Sequence, residues 1–251
     1  MRTKEIKARM IIVRNLSKTF QPDHRVLQRL SFQADEGELV ALLGASGSGK
    51  TTLFRCLMLK EKWDEGQYIY DGKDITTLNA WEKFKLQKQW AYLEEKPQFN
   101  PRKSALKNVL GALLFKKSWW RFLTNSVSEE DHMEAMDYLD KVGLLDKAHE
   151  PIEKLSGGEK QRVAICRALI KGAKVIFADE PVSGLDPEAA SRVMEDLQSI
   201  CRKEKLLVFC SLHQIELAEK FGSRIWGISG GRFVVDIAGR RLTQREKELI
   251  F

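Results

Sequence analysis

The sequence predicts an α/β fold in which a parallel-sheet core carries an inserted helical lobe. Short apolar runs, typical of buried strands, alternate with helical segments at the start and again towards the end of the chain. Strand character disappears at about Lys96 and returns at Val175, and only helical segments lie between these residues. Alternation on both sides of an all-helical segment is typical of a parallel sheet with an inserted group of helices.

The expected strands are short apolar runs bounded by turn residues. They are Met10–Val13, Leu30–Gln33, Glu38–Leu43, Gln67–Tyr70, Trp90–Leu93, Val175–Ala178, Leu206–Ser211, Arg224–Ser229 and Arg232–Asp236. The expected helices are Gly49–Leu59, Ser104–Phe115, Ser128–Val142 and Gly157–Lys171, with further helices between the strands from Val175 to Ser229. A turn at Gln21-Pro-Asp joins the first two strands. Ser128 is expected to cap its helix, and Asp131 makes a weak capping box.

The composition is that of an ordinary globular protein. Of 251 residues, 43% are hydrophobic and 31% are charged, which excludes a disordered or low-complexity chain. No uncharged apolar run reaches the ~18 residues that span a bilayer, and no apolar segment follows the basic first ten residues as in a secretory signal. Four cysteines without metal-ligand spacing are expected to be reduced, mostly buried thiols of an intracellular protein.

The net charge of one stretch, residues 79–125, is +7, which equals the net charge of the whole chain. It holds ten basic and three acidic residues and four of the six tryptophans, which are Trp81, Trp90, Trp119 and Trp120. This balance favours an anionic partner, and it leaves nucleic acid, a phosphate ligand and a membrane surface open. About half of these charges are expected to belong to an ordinary solvated face.

A glycine-rich loop follows the strand that ends at Leu43 and precedes the first helix. Its sequence from Gly44 to Thr51 matches the P-loop pattern in the required strand–loop–helix context. Glycines let backbone N–H groups surround phosphate oxygens, Lys50 is suited to the β- and γ-phosphates, and Thr51 is suited to Mg²⁺. The expected nucleotide-binding residues are Gly44, Ala45, Ser46, Gly47, Ser48, Gly49, Lys50, Thr51 and Thr52.

Two carboxylates end the apolar strand that begins at Val175. The strand delivers Asp179 at its carboxyl end, where it can hold Mg²⁺ or a water molecule of its shell. Glu180 points elsewhere and can orient or activate an attacking water. An apolar run before Asp-Glu is common, and the P-loop upstream makes the nucleotide interpretation the better one.

A third motif, Leu155-Ser-Gly-Gly-Glu-Lys-Gln161, lies at the start of a predicted helix. Ser156 can cap that helix, and Gly157 and Gly158 leave backbone N–H groups accessible to an anion. With this motif the sequence resembles the ATP-binding cassette family along essentially its whole length. The resemblance implies a P-loop NTPase (RecA-like) parallel-sheet core, an N-terminal antiparallel β subdomain and an inserted all-helical subdomain. It implies ATP and Mg²⁺ as ligands.

The resemblance assigns further roles residue by residue. The segment from Ser156 to Glu159 would be the signature motif, which contacts the γ-phosphate held by a second copy in a head-to-tail nucleotide sandwich. The segment from Ser183 to Asp186 would be the D-loop. His213 would hold the γ-phosphate, and Phe20 would stack on adenine. Catalysis would then depend on Glu180, His213 and Lys50.

The resemblance also implies a domain organisation. A single nucleotide-binding domain would span residues 1–251. Residues 1–95 and 160–251 would form the ATP-binding core, and residues 96–159 the helical subdomain with the signature motif.

One position departs from the family pattern. Aligning the segment from Pro101 to Leu110 with the family places Glu95 where a glutamine normally ends the core strand. In the family that glutamine touches Mg²⁺ and the attacking water and couples the site to the membrane partner. We hypothesise that Glu95 contacts the metal and slows or retunes turnover. Gln98 is nearby, so a shifted loop is the alternative.

Within the family the sequence resembles the phosphonate-import ATPases. Asn15–Phe20, Leu53–Leu57, Trp119–Leu123 before Ser128, and the Leu-His-Gln form of the switch around His213 carry this resemblance. It implies an ATPase subunit of a bacterial importer for phosphonate or a related phosphorus oxyanion. The subunit would act as a dimer on a polytopic permease, and indirectly with a substrate-binding protein. It would lie peripherally on the cytoplasmic face of the inner membrane, without a nucleic acid partner.

Other cassette functions remain open at this point. The same motifs occur in lipoprotein- or lipid-extracting complexes and in importers of other small solutes. Soluble cassette proteins that act on nucleic acid or ribosomes usually carry two fused cassettes or long coiled-coil insertions, which this sequence lacks. A cassette that binds ATP without hydrolysing it is another alternative because of Glu95, although Glu180 and His213 argue against it.

Overall fold

The computed structural model describes residues 10–21, 24–115 and 127–251. Within these residues the chain forms ten strands, numbered in chain order as β1 (Met10–Gln21), β2 (His24–Asp35), β3 (Leu39–Leu43), β4 (Glu65–Tyr70), β5 (Lys73–Asp74), β6 (Trp90–Leu93), β7 (Val175–Asp179), β8 (Leu207–Leu212), β9 (Arg224–Ser229) and β10 (Arg232–Ala238). The helices are α1 (Lys50–Leu57), α2 (Ala80–Gln87), α3 (Ala105–Gly111), α4 (Glu129–Lys141), α5 (Gly157–Ile170), α6 (Pro187–Lys203), α7 (Ile215–Phe221) and α8 (Gln244–Ile250).

A six-stranded sheet forms the centre of the molecule in the order β10-β9-β3-β8-β7-β6. All neighbouring strands are parallel except β10, which pairs antiparallel with β9. In this register Leu43 lies opposite Leu212, and Asp179 lies opposite Ser211. The loops that follow β3, β7 and β8 therefore leave the sheet at the same edge, which is where open α/β sheets bind ligands.

A second, antiparallel sheet packs against one face of the central sheet in the order β2-β1-β4-β5. Alternate residues of the central strands point to opposite faces, so Val40 and Phe177 join the core on this side. Aromatic rings fill this core. Phe177 stacks on Phe209 with a distance of 5.3 Å between ring centroids, and the ring centroids of Phe32 and Trp226 are 4.6 Å apart. The parallel core and the antiparallel β subdomain expected from the sequence are both present.

Helices cover the other face of the central sheet. α3, α4 and α5 pack on one another, and their apolar residues continue the core on that side. The cap predicted for α4 is present, because the Ser128 Oγ accepts from the Asp131 N–H at 3.2 Å and Asp131 accepts from the Ser128 N–H at 2.9 Å. α5 runs from this helical group to the buried Ala173 beside β7.

Two helices were not anticipated from the sequence. α2 opens with a capping box between Asn79 and Glu82, and α8 opens with another between Thr243 and Glu246. Both helices are short, so their apolar periodicity is weak. Of the predicted turn at Gln21-Pro-Asp, Gln21 ends β1, and residues 22 and 23, like the tryptophans at 119 and 120, lie outside the described residues.

Two further expectations from composition can be compared with the structure. All four cysteines are buried, as expected, and burial raises the pKa of the Cys56 and Cys201 thiols to about 12. Within the part of the chain that the structure describes, none of the helices is both long and apolar enough to cross a bilayer.

Candidate functional site

The P-loop between β3 and α1 requires its glycines for physical reasons. A Cβ on Gly44 would lie 2.4 Å from the Ile228 carbonyl oxygen. Gly47 and Gly49 have φ angles of +77° and +107°, which L side chains rarely adopt. The loop therefore turns tightly into α1, which begins at Lys50 with its backbone N–H groups available to an anion.

Lys50 lies inside this loop. Its ammonium donates to the carbonyl oxygens of Gly44 at 2.8 Å and Ala45 at 3.1 Å. Burial lowers the pKa of Lys50, while the nearby carboxylates of Glu180 and Asp179 act in the opposite direction. The Ser48 Oγ is buried and has no hydrogen-bond partner within the described residues. A buried cation and a free hydroxyl in a cradle of backbone N–H groups fit the phosphates of a nucleotide.

Three hydroxyl groups converge on the Asp179 carboxylate at the end of β7. Oδ1 accepts from the Ser211 Oγ at 2.6 Å, and Oδ2 accepts from the Thr51 Oγ1 at 2.9 Å and the Tyr92 hydroxyl at 2.8 Å. Asp179 is 8% exposed. Carboxylate and hydroxyl oxygens are the ligands that Mg²⁺ prefers, so Thr51 and Asp179 fit the predicted metal site.

Glu180 turns away from this cluster. Its backbone is left-handed, with φ of +51°, and its N–H donates to the Ser211 Oγ at 2.8 Å. Its Oε1 lies 2.6 Å from His213 Nε2, which follows β8. A left-handed glutamate is strained, so the surrounding contacts must hold it in place. The pair lines a cleft of about 140 Å³ with Ser183 and Gly184.

The signature segment lies at a different cleft, of about 210 Å³, between the N-terminal ends of α5 and α6. Ser156 caps α5, since its Oγ accepts from the Glu159 N–H at 3.3 Å and Glu159 accepts from the Ser156 N–H at 2.8 Å. Asp186 caps α6 through the Ala189 N–H at 2.9 Å. A Cβ on Gly157 would lie 2.8 Å from a Leu185 methyl group. This methyl group is the end of a flexible side chain, so a Cβ at position 157 would require Leu185 to shift.

The two remaining predicted site residues lie at the surface. Phe20 is 51% exposed on β1, and the Lys18 ammonium lies 4.8 Å from its ring centroid. Glu95 is exposed in the loop after β6, and its carbonyl oxygen accepts from Gln161 Nε2 at 2.7 Å. Phe20 is thus accessible for stacking on a base, and the role of Glu95 stays a prediction.

Comparison with known proteins identifies the family. The family model described as ABC transporter matches residues 27–183. The chain belongs to the ABC transporter family. It is an ATPase of this family, which hydrolyses ATP to ADP and phosphate.

Curated relatives of this ABC ATPase include two kinds of import protein. The chain is 44% identical over 211 residues to the Hypophosphite import ATP-binding protein of Stutzerimonas stutzeri, covering 84% of this chain but only 62% of that relative. It is 34% identical over 235 residues to the Phosphonates import ATP-binding protein of Lactococcus lactis subsp. cremoris, covering 94% of this chain and 96% of that relative.

Solved ATP-binding cassettes share the fold of this ABC ATPase. A dimeric cassette in a post-hydrolysis state bound to ADP and Pi superposes with a TM-score of 0.76 at 28% identity, covering 92% of this chain and all of that one. The cassette cbiO1 from Clostridium perfringens superposes with a TM-score of 0.81 at 24% identity, covering 95% of this chain and 89% of that one. The second likeness establishes the fold alone.

Three residues that were not predicted as site residues contact the predicted ones or the loop that carries Glu95. Ser211 and Tyr92 bind Asp179, and Gln161 of α5 binds the carbonyl oxygens of Glu94 and Glu95. The pairing of β7 with β8 could have pointed to Ser211, since the carboxyl ends of parallel strands meet. Tyr92 gave no such signal, because its strand is an apolar run.

A cavity of about 500 Å³ lies where β6 meets α5. Its lining includes three basic residues, Lys60, Arg167 and Lys171, and one acidic residue, Glu94. Burial lowers the pKa of Arg167 and of Lys171, so each charge is held partly out of water. Arg167 also donates to the Gln98 carbonyl oxygen at 2.6 Å. We call this feature the basic cavity.

Proposed function

We propose that the chain is the ATP-hydrolysing subunit of a bacterial ABC importer for phosphonate or a related phosphorus oxyanion such as hypophosphite. The observation that carries the mechanism is the sheet edge where Lys50, Asp179, Glu180 and His213 lie together. The names of the relatives support the transported class. One of those relatives is matched over only 62% of its length, so its substrate is carried over as part of this proposal.

The proposed ligands are ATP and Mg²⁺. The P-loop N–H groups and Lys50 would bind the phosphates, and Phe20 would stack on the adenine. Thr51 and Asp179 would hold the metal, with Glu95 as a further candidate ligand. When bound, Mg²⁺ neutralises charge on the phosphate oxygens.

Hydrolysis would use the residues already placed at the sheet edge. The oxygen of a water attacks the γ-phosphorus, and the bond to the β,γ-bridging oxygen breaks, which releases ADP. Glu180 orients this water and accepts its proton, and His213 donates to a γ-phosphate oxygen. Lys50 leaves the carbonyl oxygens of Gly44 and Ala45 and stabilises the charge that develops in the transition state.

We further propose an ATP-dependent dimer. Ser156–Glu159 and Asp186 face a different cleft from Glu180 and His213, so one chain presents two half-sites. A second copy in head-to-tail orientation would place its signature segment against the P-loop of the first. Support comes from the dimeric state of the solved cassette with ADP and Pi.

The basic cavity is the proposed docking site for a cytoplasmic segment of the permease. It is large enough for several side chains, and its three cations outnumber its one carboxylate. A docking helix that carries a carboxylate would pair with Arg167 and Lys171. The permease and an associated binding protein would select the substrate, because no solute site is required in this subunit.

The surface of α2 supports a position at the membrane. Trp81 and Phe84 are 62% and 46% exposed, and their rings stack with a distance of 5.8 Å between centroids. The ammonium of Lys85 lies 5.2 Å from the Trp81 ring, and that of Lys88 lies 4.7 Å from the Phe84 ring. Aromatic rings with flanking lysines suit an interface with anionic headgroups. We propose that α2 faces the inner leaflet, which places the subunit peripherally on the cytoplasmic side.

The central test is the Glu180→Gln variant. We expect ATPase activity to fall about 10²–10⁴-fold, because the residue that accepts the proton is lost. ATP should still bind and should trap a dimer that light scattering detects. Asp137→Asn, at an exposed carboxylate of α4, is the control and should hydrolyse normally. Normal hydrolysis by Glu180→Gln would refute the mechanism.

Substrate class needs a separate test in cells. A strain that lacks this gene is grown with methylphosphonate, hypophosphite or phosphate as the sole phosphorus source. We expect the intact chain, but not Glu180→Gln, to restore growth on at least one of the first two. Restoration on neither would favour an importer of another solute or a lipid-extracting complex.

The α2 surface is tested by flotation with vesicles. The intact chain should float with vesicles that contain phosphatidylglycerol and much less with phosphatidylcholine vesicles. Replacing Trp81 and Phe84 by Ala should abolish flotation, whereas Met133→Ala, at an exposed residue of α4, should not. Equal flotation of both variants would remove the lipid contact from the proposal.

A further inference from the structure

Tyr92 reaches from the metal site to the basic cavity. Its hydroxyl donates to Asp179 Oδ2 at 2.8 Å. Its ring belongs to the cavity lining, and the Lys60 ammonium lies 4.7 Å from the ring centroid. The parallel pairing of β6 with β7 fixes the backbone of Tyr92 opposite Phe177. A rigid side chain on a paired strand therefore touches both places at once.

The Tyr92 hydroxyl is a permanent donor. Its oxygen lies 2.8 Å from an oxygen of Asp179, and an ionised carboxylate only accepts hydrogen bonds, so the phenol keeps its proton and donates it. Asp179 Oδ2 accepts from Thr51 as well. Because Thr51 is itself an expected metal ligand, Tyr92 and Ser211 are the donors that remain to orient the carboxylate when the metal is bound.

Tyr92 lies just before the loop that follows β6, and this loop carries Glu95. Glu95 stands where the family pattern has the glutamine that links the metal to the membrane partner, and its backbone is held by Gln161. Three positions earlier, Tyr92 contacts both the expected metal ligand and the wall of the cavity proposed for docking.

We propose that Tyr92 is a positioning residue that orients Asp179 for Mg²⁺ and couples this orientation to what occupies the basic cavity. A group that enters the cavity presses on the ring face or displaces Lys60. A shift of the ring moves the hydroxyl, and the Asp179 carboxylate loses or gains one of its donors. The coupling half of this inference rests on the proposed function, in which the permease occupies the cavity.

The positioning half is tested with Tyr92→Phe, which removes the hydroxyl and keeps the ring. Both Tyr92→Phe and its parent carry Glu180→Gln, and Mg²⁺ is titrated at fixed ATP while light scattering follows the dimer. We expect half-saturation to require about tenfold more Mg²⁺, as for the loss of an outer-shell partner. Tyr138→Phe is the matched control, since its hydroxyl donates to Glu134 at 3.3 Å on α4.

The result that overturns this half is equal Mg²⁺ dependence of Tyr92→Phe and the parent. Thermal melting of both proteins shows that the variant is folded. A parent that binds ATP but does not dimerise would count against the proposed dimer alone. Mg²⁺-dependent ATP binding, measured by calorimetry, then compares the same two proteins without using the dimer.

The coupling half is tested by filling the cavity. Lys60→Cys places a thiol beside the Tyr92 ring, and all four native cysteines are buried, so N-phenylmaleimide should label residue 60 alone. In the protein that keeps Tyr92, we expect the label to change the Mg²⁺ concentration at half-saturation at least about threefold. In the Tyr92→Phe background the label should hardly change it, and the two results form a double-mutant cycle. An equal change in both backgrounds, or none in either, would overturn the coupling.

Discussion

The metal-site edge and the wall of the basic cavity lie on either side of Tyr92, and they differ in how their buried polar atoms are satisfied. At the edge, both oxygens of Asp179 accept hydrogen bonds, and Ser211 also binds the Glu180 N–H. At the wall, Trp90 Nε1 and Arg167 Nε are buried without a partner within the described residues.

The Asp179 carboxylate is therefore satisfied by hydrogen bonds within the chain, and the two donors of the wall are not. Buried polar groups are nearly always hydrogen-bonded in native proteins, so each orphan calls for an explanation. The Asp179 carboxylate, whose donors all come from one chain, can be organised before its ligand arrives, whereas the Ser48 Oγ of the P-loop has no partner within the described residues. The two unsatisfied donors of the wall are buried atoms, so they are not within direct reach of a docking segment. Substitutions on the two sides should therefore differ in their effects on activity and on stability.

The largest effect is expected from Lys50→Met. It removes the buried cation that lies nearest the predicted phosphate position, and kcat/KM for ATP should fall about 10²–10³-fold. Steady-state ATPase assays measure the loss. Lys174→Met, at a partly buried lysine before β7, is the control and should keep most of the activity. A loss below about threefold would show that Lys50 stays with the loop carbonyl oxygens during catalysis.

Ser211→Ala tests the completeness of the metal-site edge. It removes a donor to Asp179 and the acceptor for the Glu180 N–H, so the free energy of unfolding should fall by about 1–3 kcal/mol. ATPase activity should fall about 10–100-fold, with a higher Mg²⁺ requirement. Ser223→Ala, which binds only backbone groups of Leu39, should lower stability without changing the Mg²⁺ requirement. If Ser211→Ala behaved like Ser223→Ala, the network would be structural only.

Glu95→Gln restores the usual family residue in the loop between the two regions. If Glu95 contacts the metal, the substitution should change the turnover rate and the Mg²⁺ half-saturation by about three- to tenfold, because a negative charge is removed beside Asp179. Glu82→Gln on α2 is the control for a lost exposed carboxylate. If the rate and the Mg²⁺ dependence of Glu95→Gln matched those of the parent, the hypothesis that Glu95 binds the metal would be dropped.

The smallest effect on stability is expected at the cavity wall, from Arg167→Met. Burial disfavours the charge, so its removal offsets the lost bond to the Gln98 carbonyl oxygen, and the free energy of unfolding should change by less than about 1 kcal/mol. Denaturant unfolding measures this change. Co-purification with the permease should nevertheless weaken. A stability loss as large as that of Ser211→Ala would mean that Arg167 is a core residue and not a docking residue.

The metal-site edge could be predicted from the sequence because its parts are local. The P-loop pattern fixes the residues from Gly44 to Thr51, and an apolar strand that ends in a carboxylate identifies Asp179. The parallel order of the strands then brings their carboxyl ends together. The central sheet and the helical lobe followed from the same patterns, and the antiparallel sheet was expected from the resemblance to the ATP-binding cassette family.

The cavity wall could not be predicted in this way. Its lining combines Lys60, the segment from Gln87 to Gln98 and one face of α5, which are far apart in the chain. Tyr92 looks like any aromatic residue of a buried strand until the fold places Asp179 beside it. α2 could have been found from its Asn79–Glu82 capping box, but two of its aromatic residues, Trp81 and Phe84, are exposed, which obscured the helical periodicity.

The left-handed backbone of Glu180 lowers the stability of the fold but places the carboxylate next to His213. For a residue with a Cβ this conformation costs about 1 kcal/mol or more, and a glycine or asparagine would adopt it more readily. A chain selected only for resistance to heat would carry one of those residues at position 180. The enzyme gives up that gain because the same turn that strains the backbone brings the carboxylate within 2.6 Å of His213. Stabilisation campaigns on this protein should therefore leave position 180 untouched, however favourable its replacement looks in a melting curve.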